Sequence, residues 1–408
     1  GGVLWGAGAR DSYEEGLLIP PTLLYDKGKP NETLFNLLKR NVRAPMQTIG
    51  DINAQIAAND QGRTGVLNLL EELNLNNLEL LSEKIISSTE TAMRKAISKA
   101  PDGKYNYAYE ADGDGIDEPI KIDCTVTIDK DEITVDYEGT TGPHSLGINA
   151  VLNYTYAYTA YPIKAIFSPD VPNNDGAFLP IHVTAPEGSL LNAKGSVPVG
   201  ARNITGNMLH APVFGALAKA VPEKVQADCG SPCWCVVLSG EDENNPYEEY
   251  VEYFFLNGGY GARPNMDGES VLSFPTNVSN VPIEVLETGI PIRFIEKSLI
   301  PDSAGKGKYR GGLGQRVVFE VISEKGLNMS LLTEKINHEA HGILGGENAR
   351  VGLLHIEPNR DILPKGITKL KKGDRVTLEV PGGGGYGSVE ERSQDLIEHD
   401  KLHGYTSK

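Results

Sequence analysis

An α+β fold, a helical N-terminal layer followed by a β-rich region of short strands and Gly/Pro-rich loops, is what this sequence predicts, and three observations predict it. Apolar residues recur at three- and four-residue spacing over residues 31–100, and soon after Pro101 they alternate with polar ones. From about residue 225 to 380, short β-type runs are broken by Gly, Pro and Asn. A block of helices ahead of a block of strands suits segregated layers rather than repeated βαβ units. The expected segments are a loop plus helices over 1–100, a mixed segment over 101–224, a β-rich segment over 225–387, and a C-terminal helix and tail over 388–408.

The elements follow in order. A turn-rich opening contains Leu18-Ile19-Pro20-Pro21 and a strand-like Thr22 to Tyr25 before Lys27-Gly28. Asn31 caps a helix whose stripe is Leu34, Leu37, Leu38 and Val42. The helical pattern continues from Thr48 to Leu73 and from Leu78 to Ala100. Ile120, Ile122, Cys124, Val126 and Ile128 alternate with polar residues, as do Ile133 and Val135, and Asp129-Lys130-Asp131 between them predicts a hairpin. Helices are expected over 148–167 and 207–220, the second stopped before Pro222, and Val317 to Val321 reads as a strand. Ser388 and Glu391 have the spacing of a capping box for a last helix.

Bulk properties bound the function. A chain of 408 residues, 39% hydrophobic and 23% charged, can bury a large core. Its formal net charge of -17 repels a nucleic-acid backbone or an anionic membrane, and the longest basic cluster is Lys369, Lys371 and Lys372. The sequence holds no apolar run of the ~18 residues that span a bilayer, which predicts a soluble, cytoplasmic protein. Four cysteines make no disulfide framework. Cys229, Cys233 and Cys235 form a C-x3-C-x-C run that lacks zinc-knuckle spacing and reads as free thiols near a Gly-Ser-Pro turn. Gly1 to Gly8 reads like the middle of a loop, which predicts that the chain's front half precedes it or lies on another chain.

Several motifs have more than one reading. The Asp112-Gly-Asp114-Gly-Ile-Asp117 run lacks the sixth-position glycine and closing glutamate of an EF-hand, so it reads as an acidic turn. The Gly305 to Gly314 and Pro381 to Gly387 runs do not fit a nucleotide-binding loop and are expected to serve tight turns and close backbone approach. His338 and His341 lie three apart with no carboxylate at ligand spacing. The polar stretch from Asn257 to Glu287 is either a self-satisfied network or a substrate or subunit contact surface.

Eight stretches, in order, resemble the hydantoinase B/oxoprolinase family. They are Tyr13-Glu-Glu-Gly-Leu-Leu-Ile-Pro-Pro; Asn41-Val-Arg43 with Gly50 to Asn59; Val135-Asp136-Tyr-Glu-Gly139; Gly147-Ile-Asn149; Gly259-Tyr-Gly-Ala; Asn277 to Glu287; Pro301-Asp302-Ser303 with Arg310-Gly-Gly; and Pro381-Gly-Gly-Gly-Gly-Tyr-Gly. The resemblance implies the B-type component of an ATP-dependent hydantoinase or 5-oxoprolinase, related to acetone and acetophenone carboxylase subunits. It implies an A-type ATP-binding partner that phosphorylates the amide oxygen of a hydantoin, N-methylhydantoin or 5-oxoproline ring. It also implies a divalent metal, Zn or Mn, that activates water at the imidate carbon. The family's metal ligands are expected ahead of Gly1, where Gly1-Gly2 looks like the end of a His/Asp-containing motif, so none is assigned here and activity is expected to need that part and the partner. The alternative within the resemblance is the core component of an ATP-dependent ketone carboxylase.

The residues carried forward are Asp51 and Asp267 as catalytic candidates and Asn41, Arg43, Gln55, Asn59, Asn277 and Asn280 as substrate-binding candidates. Asp51, Gln55 and Asn59 are spaced by four, which puts them on one helical face; a solvated face has the same spacing.

Overall fold

The computed structural model describes residues 8–42, 44–231, 233–241, 249–272 and 274–407. Strands β1 (Tyr25–Asp26) and β2 (Lys29–Pro30) close a small hairpin over Lys27 and Gly28. Helix α1 (Glu32–Asn41) begins where its cap predicts, with the Asn31 side chain accepting the N–H of Leu34. Helix α2 (Pro45–Glu72) runs 28 residues without burying one of them, whereas α3 (Glu79–Ile97) buries Thr89, Met93 and Ile97. The apolar positions of α2 therefore do not reach the core of this chain.

Strands β3 (Gly103–Ala111), β4 (Ile120–Asp129) and β5 (Glu132–Asp136) form an antiparallel meander, and β6 (Ile181–Thr184) adds parallel to β5. The alternation in β4 is real: Ile120, Ile122, Cys124, Val126 and Ile128 are buried, and the intervening residues are not. Helix α4 (Leu152–Phe167) packs on this sheet with α3 and two shorter helices. The predicted single helix over 207–220 is instead α5 (Arg202–Met208) and α6 (His210–Leu217). Pro212 accounts for the break, because it offers no N–H to the carbonyl of Met208 and its ring crowds that carbonyl.

The β-rich region holds β7 (Trp234–Glu241), β8 (Glu249–Leu256), the short helix α7 (Ile283–Gly289), β9 (Ile292–Leu299), β10 (Gln315–Val321), β11 (Leu327–Leu332), β12 (Leu353–Glu357), β13 (Lys365–Leu370) and β14 (Arg375–Val380). They make two four-stranded sheets, β13-β11-β7-β8 and β12-β14-β10-β9, with one shared core that includes Trp234, Phe254, Phe319, Met329 and Leu378. Cys235 on the opposite face of β7, and Cys233 just ahead of the strand, enter the core of the helical layer. That double burial explains why the start of β7 reads as an unbroken apolar run. Helix α8 (Gln394–Leu402) does not start at Ser388; that hydroxyl is engaged by the Glu390 side chain, and Ser393 caps the helix instead.

The glycine-rich runs interleave. Gly259 N–H donates to Pro381 C=O at 3.0 Å, Gly312 N–H to Tyr260 C=O at 2.8 Å and Gly383 N–H to Gly312 C=O at 2.9 Å. Their backbone groups are spent on one another, as close approach demands, rather than presented to a phosphate.

Candidate functional site

At the seam between the two regions lies a buried charge cluster centred on Asp228. Its Oδ2 meets the Lys335 ammonium, lies 3.3 Å from Tyr109 Oη and 3.4 Å from the His341 backbone N–H. Its Oδ1 faces His210 Nε2 at 3.5 Å, while His210 Nδ1 donates to the Asn207 carbonyl at 2.8 Å. Burial alone would raise the Asp228 pKa, but Lys335, His210 and His341 outweigh it and hold the carboxyl well below the usual range. Lys335 also donates to Tyr109 Oη at 2.7 Å, and His341 Nδ1 pairs with Tyr107 Oη at 2.8 Å. The cluster thus ties β3 to α6 and to the loops after β11.

Beside it opens a cavity of about 320 Å³. Tyr154 and Tyr158 on α4, one helical turn apart with ring centroids 4.8 Å apart, form one wall. Gly206 permits this: a Cβ there would lie 2.5 Å from the Tyr154 ring. Arg202 stands at the start of α5 with its guanidinium 5.2 Å from the Tyr154 ring centroid, and among the described residues no carboxylate pairs with it. Asn207 also lines the cavity; it is 1% exposed, and its Oδ1 has no hydrogen-bond partner among the described residues. Cys233, Thr276 and Val278 close the floor.

Residues from the sequence motifs hold this cavity in shape. Glu15 accepts the N–H groups of Val199 and Gly200, fixing the turn that carries Arg202. Asn149 donates to the carbonyls of His144, Leu146 and Pro198. Asn257 donates to the Val278 carbonyl at 2.9 Å, and Gln315 donates to both the Asn257 carbonyl and Asn280 Oδ1, which pins the 276–280 loop. The arrangement offers an aromatic wall of two tyrosine rings tilted by 32°, a buried acceptor, a cation and a thiol.

A sequence profile of the hydantoinase B/oxoprolinase family matches residues 1–389. The chain belongs to that family. It is 31% identical over 420 residues to the B-type component of a putative D-/L-hydantoinase from a Pseudomonas species, covering 98% of this chain and 70% of that one. The fold superimposes on the ATP-dependent caprolactamase of Pseudomonas jessenii with a TM-score of 0.88 and 26% identity, covering 100% of this chain and 73% of that one. It also superimposes on nucleotide-free acetone carboxylase with a TM-score of 0.85 at 17% identity, covering 100% and 62%, a likeness of fold alone.

This hydantoinase B/oxoprolinase chain distributes the sequence-predicted residues unevenly. Asp51, Gln55 and Asn59 do not line the cavity: they are exposed on α2, a helix with no buried residue. Asn41 turns its amide back onto the Leu37 carbonyl at 2.8 Å, and Arg43 lies outside the described residues. Asn277 and Asn280 belong to the loop that reaches the cavity, but Thr276 and Val278 are its lining residues; Asn277 is exposed, and Asn280 accepts from Gln315.

Asp267, the other catalytic candidate, sits in an ion network with two arginines. Its two oxygens each take an Arg392 nitrogen at 2.8 Å, Oδ1 also takes the Arg310 N–H at 2.7 Å, and both arginines bond to Asp400 on α8. Burial would raise its pKa, yet Arg392 and Arg310 hold the carboxyl below the usual range. With its lone pairs committed to the two arginines, it anchors α8. Asp267→Ala is expected to cost about 2–3 kcal/mol by leaving two arginines on one carboxylate, and limited proteolysis should then cut the C-terminal segment first; unchanged cleavage would refute the anchor.

The other expectations also resolve. Asp112 accepts the N–H groups of Ile336, Asn337 and His338 and pairs with His338 Nδ1 at 2.9 Å, while Asp114 caps its own turn, so the acidic run is a turn bonded to its surroundings. His338 and His341 are both engaged and neither sits on a helix. Sequence reasoning missed Arg202, Asn207, His210, Asp228 and Lys335. One signal was present: Asn207 and His210 interrupt the apolar helical run Ile204 to Leu217.

Proposed function

We propose that this chain is the hydrolytic B-type component of an ATP-dependent cyclic-amide hydrolase that opens hydantoin, N-methylhydantoin or 5-oxoproline rings after an A-type ATP-binding partner has phosphorylated the amide oxygen. Family membership supports the reaction class, and the observation that carries the site is Asn207, which lines the cavity and whose buried Oδ1 has no hydrogen-bond partner among the described residues. A ring N–H donated to that oxygen would satisfy an acceptor that otherwise costs free energy. The tyrosine wall suits a flat five-membered ring, and Arg202 at the rim suits the anionic charge of a phosphorylated ring or of a substrate carboxylate.

The divalent ion of the family belongs to this proposal with no ligand assigned among the described residues. Among the described residues no three His, Cys, Asp or Glu side chains converge on one point. ATP is assigned to the partner. Among the described residues no helix is long and apolar enough to cross a membrane, and we place the reaction in the cytoplasm, where ATP is supplied. The carboxylase alternative is less well supported, because its structural likeness reaches the fold alone.

The test is ATP consumption by the full-length gene product, with any residues that precede Gly1, combined with its A-type partner. Turnover on hydantoin or 5-oxoproline without bicarbonate is expected, and neither component should turn over alone. Asn207→Ala should lower kcat/KM by roughly 10- to 100-fold, the worth of one buried hydrogen bond to substrate. Strict dependence on bicarbonate and a ketone would overturn the hydrolase in favour of the carboxylase.

A further inference from the structure

Helix α8 ends in a pair of histidines. His399 and His403 stand four residues apart, so one turn puts both side chains on the same face, and the His403 N–H closes that turn on the His399 carbonyl at 3.1 Å. Their ring centroids lie 4.3 Å apart, with 47° between the planes. Both residues are exposed, and among the described residues no hydrogen bond engages either imidazole.

The pair is held in place from two sides. Asp400, between them in sequence, is buried and fastens α8 to both Arg310 and Arg392. The Tyr405 ring packs against both imidazoles, its centroid 5.9 Å from that of His399 and 5.6 Å from that of His403. Tyr405 is fixed in turn by the Arg310 guanidinium, 5.2 Å from its ring centroid, and by its N–H, which donates to the Asp400 carbonyl at 2.8 Å. Rings restrained in this way give up little freedom when a ligand joins them.

An ion that takes one nitrogen from each ring at about 2.0–2.1 Å sets the two centroids roughly 4.5–5 Å apart. The observed separation is close to that span, so a small opening of the rings suffices. Imidazole nitrogens select Cu2+, Ni2+ or Zn2+ over Mg2+ or Ca2+, which prefer oxygen, and Cu2+ stands first in that order. No third His, Cys, Asp or Glu converges here among the described residues, so the remaining positions fall to water. The place favours a cation as well, because the carbonyl end of a helix carries partial negative charge.

We propose that His399 and His403 form a two-histidine site that chelates a late first-row divalent ion, Cu2+ before Ni2+ or Zn2+, at the exposed end of α8. The site uses no residue of the Asn207 cavity and does not depend on the cyclic-amide reading.

The experiment titrates the full chain with Cu2+ alone, followed by calorimetry and by electron paramagnetic resonance. Both side chains are exposed, so His399→Ala, His403→Ala and the double variant remove the ligands without opening a core. Wild type is expected to bind one more Cu2+ than the double variant, and that ion should show coupling to two nitrogens. Each single variant should weaken it at least about tenfold. Excess Mg2+ should not displace it. Equal stoichiometry and affinity in wild type and double variant overturn the proposal, and so does coupling to a single nitrogen or displacement by Mg2+.

Discussion

Asp228→Ala is expected to destabilise the folded chain by roughly 3–5 kcal/mol, because removing one member of a buried ion cluster strands the others. Lys335 would lose its carboxylate at 3% side-chain exposure, and His210 and Tyr109 would lose the same partner. The sign with pH follows from the depressed Asp228 pKa: folded lies below unfolded, so its contribution is complete above about pH 4 and drains away as pH falls further. Urea unfolding of wild type and variant should therefore show a gap that is widest near neutrality and narrows in acid. A neutral-pH loss under about 1 kcal/mol would show that the cluster repays no more than its own desolvation. Loss of the proposed cyclic-amide turnover in the same variant would follow from α6 shifting, since His210 links Asp228 to the Asn207 carbonyl.

Gly312→Ala is expected to cost at least about 3 kcal/mol or to prevent soluble expression, since overpacking of this severity must move backbone. The added Cβ would stand 1.8 Å from the Glu269 carbonyl oxygen and 2.8 Å from the Tyr260 nitrogen. Neither atom belongs to a flexible side chain, and the hydrogen bonds joining Tyr260, Gly312 and Gly383 pass through the same crossing. Gly62→Ala is the control. It sits in α2 with nothing within 4 Å of its Cβ position, and there alanine should be neutral or stabilising by up to about 1 kcal/mol. Equal denaturation midpoints for the two variants would sink the close-approach account.

Much of the fold was legible in the residues. The 3.6 period of α1 and α3, the alternation of β4 and the breaks across the β-rich region each reflect a local rule that the backbone obeys wherever one face meets a core. The misreadings have local causes too. Pro212 divided a helix whose apolar pattern runs straight through it, and a serine at Ser388 found Glu390 before it found a helix N-terminus. The site was less legible. Asp267 and the α2 polar residues stood out as exposed chemistry in a linear reading, yet one is consumed by Arg392 and Arg310 and the others face outward. Arg202 and Asn207 on α5 meet Cys233 and the 276–278 loop in one cavity only because the sheets and helices bring those separate segments together.

By itself, then, the sequence determined the family, the α+β class and the placement of most elements, because period, caps and glycine runs act over a few residues at a time. The tertiary structure alone decided which polar side chains converge. Asp228 meets Lys335 across 107 positions and Tyr109 across 119. No local spacing rule encodes a pair that distant, since its partners are selected by the packing of two layers and by the high cost of burying either charge alone.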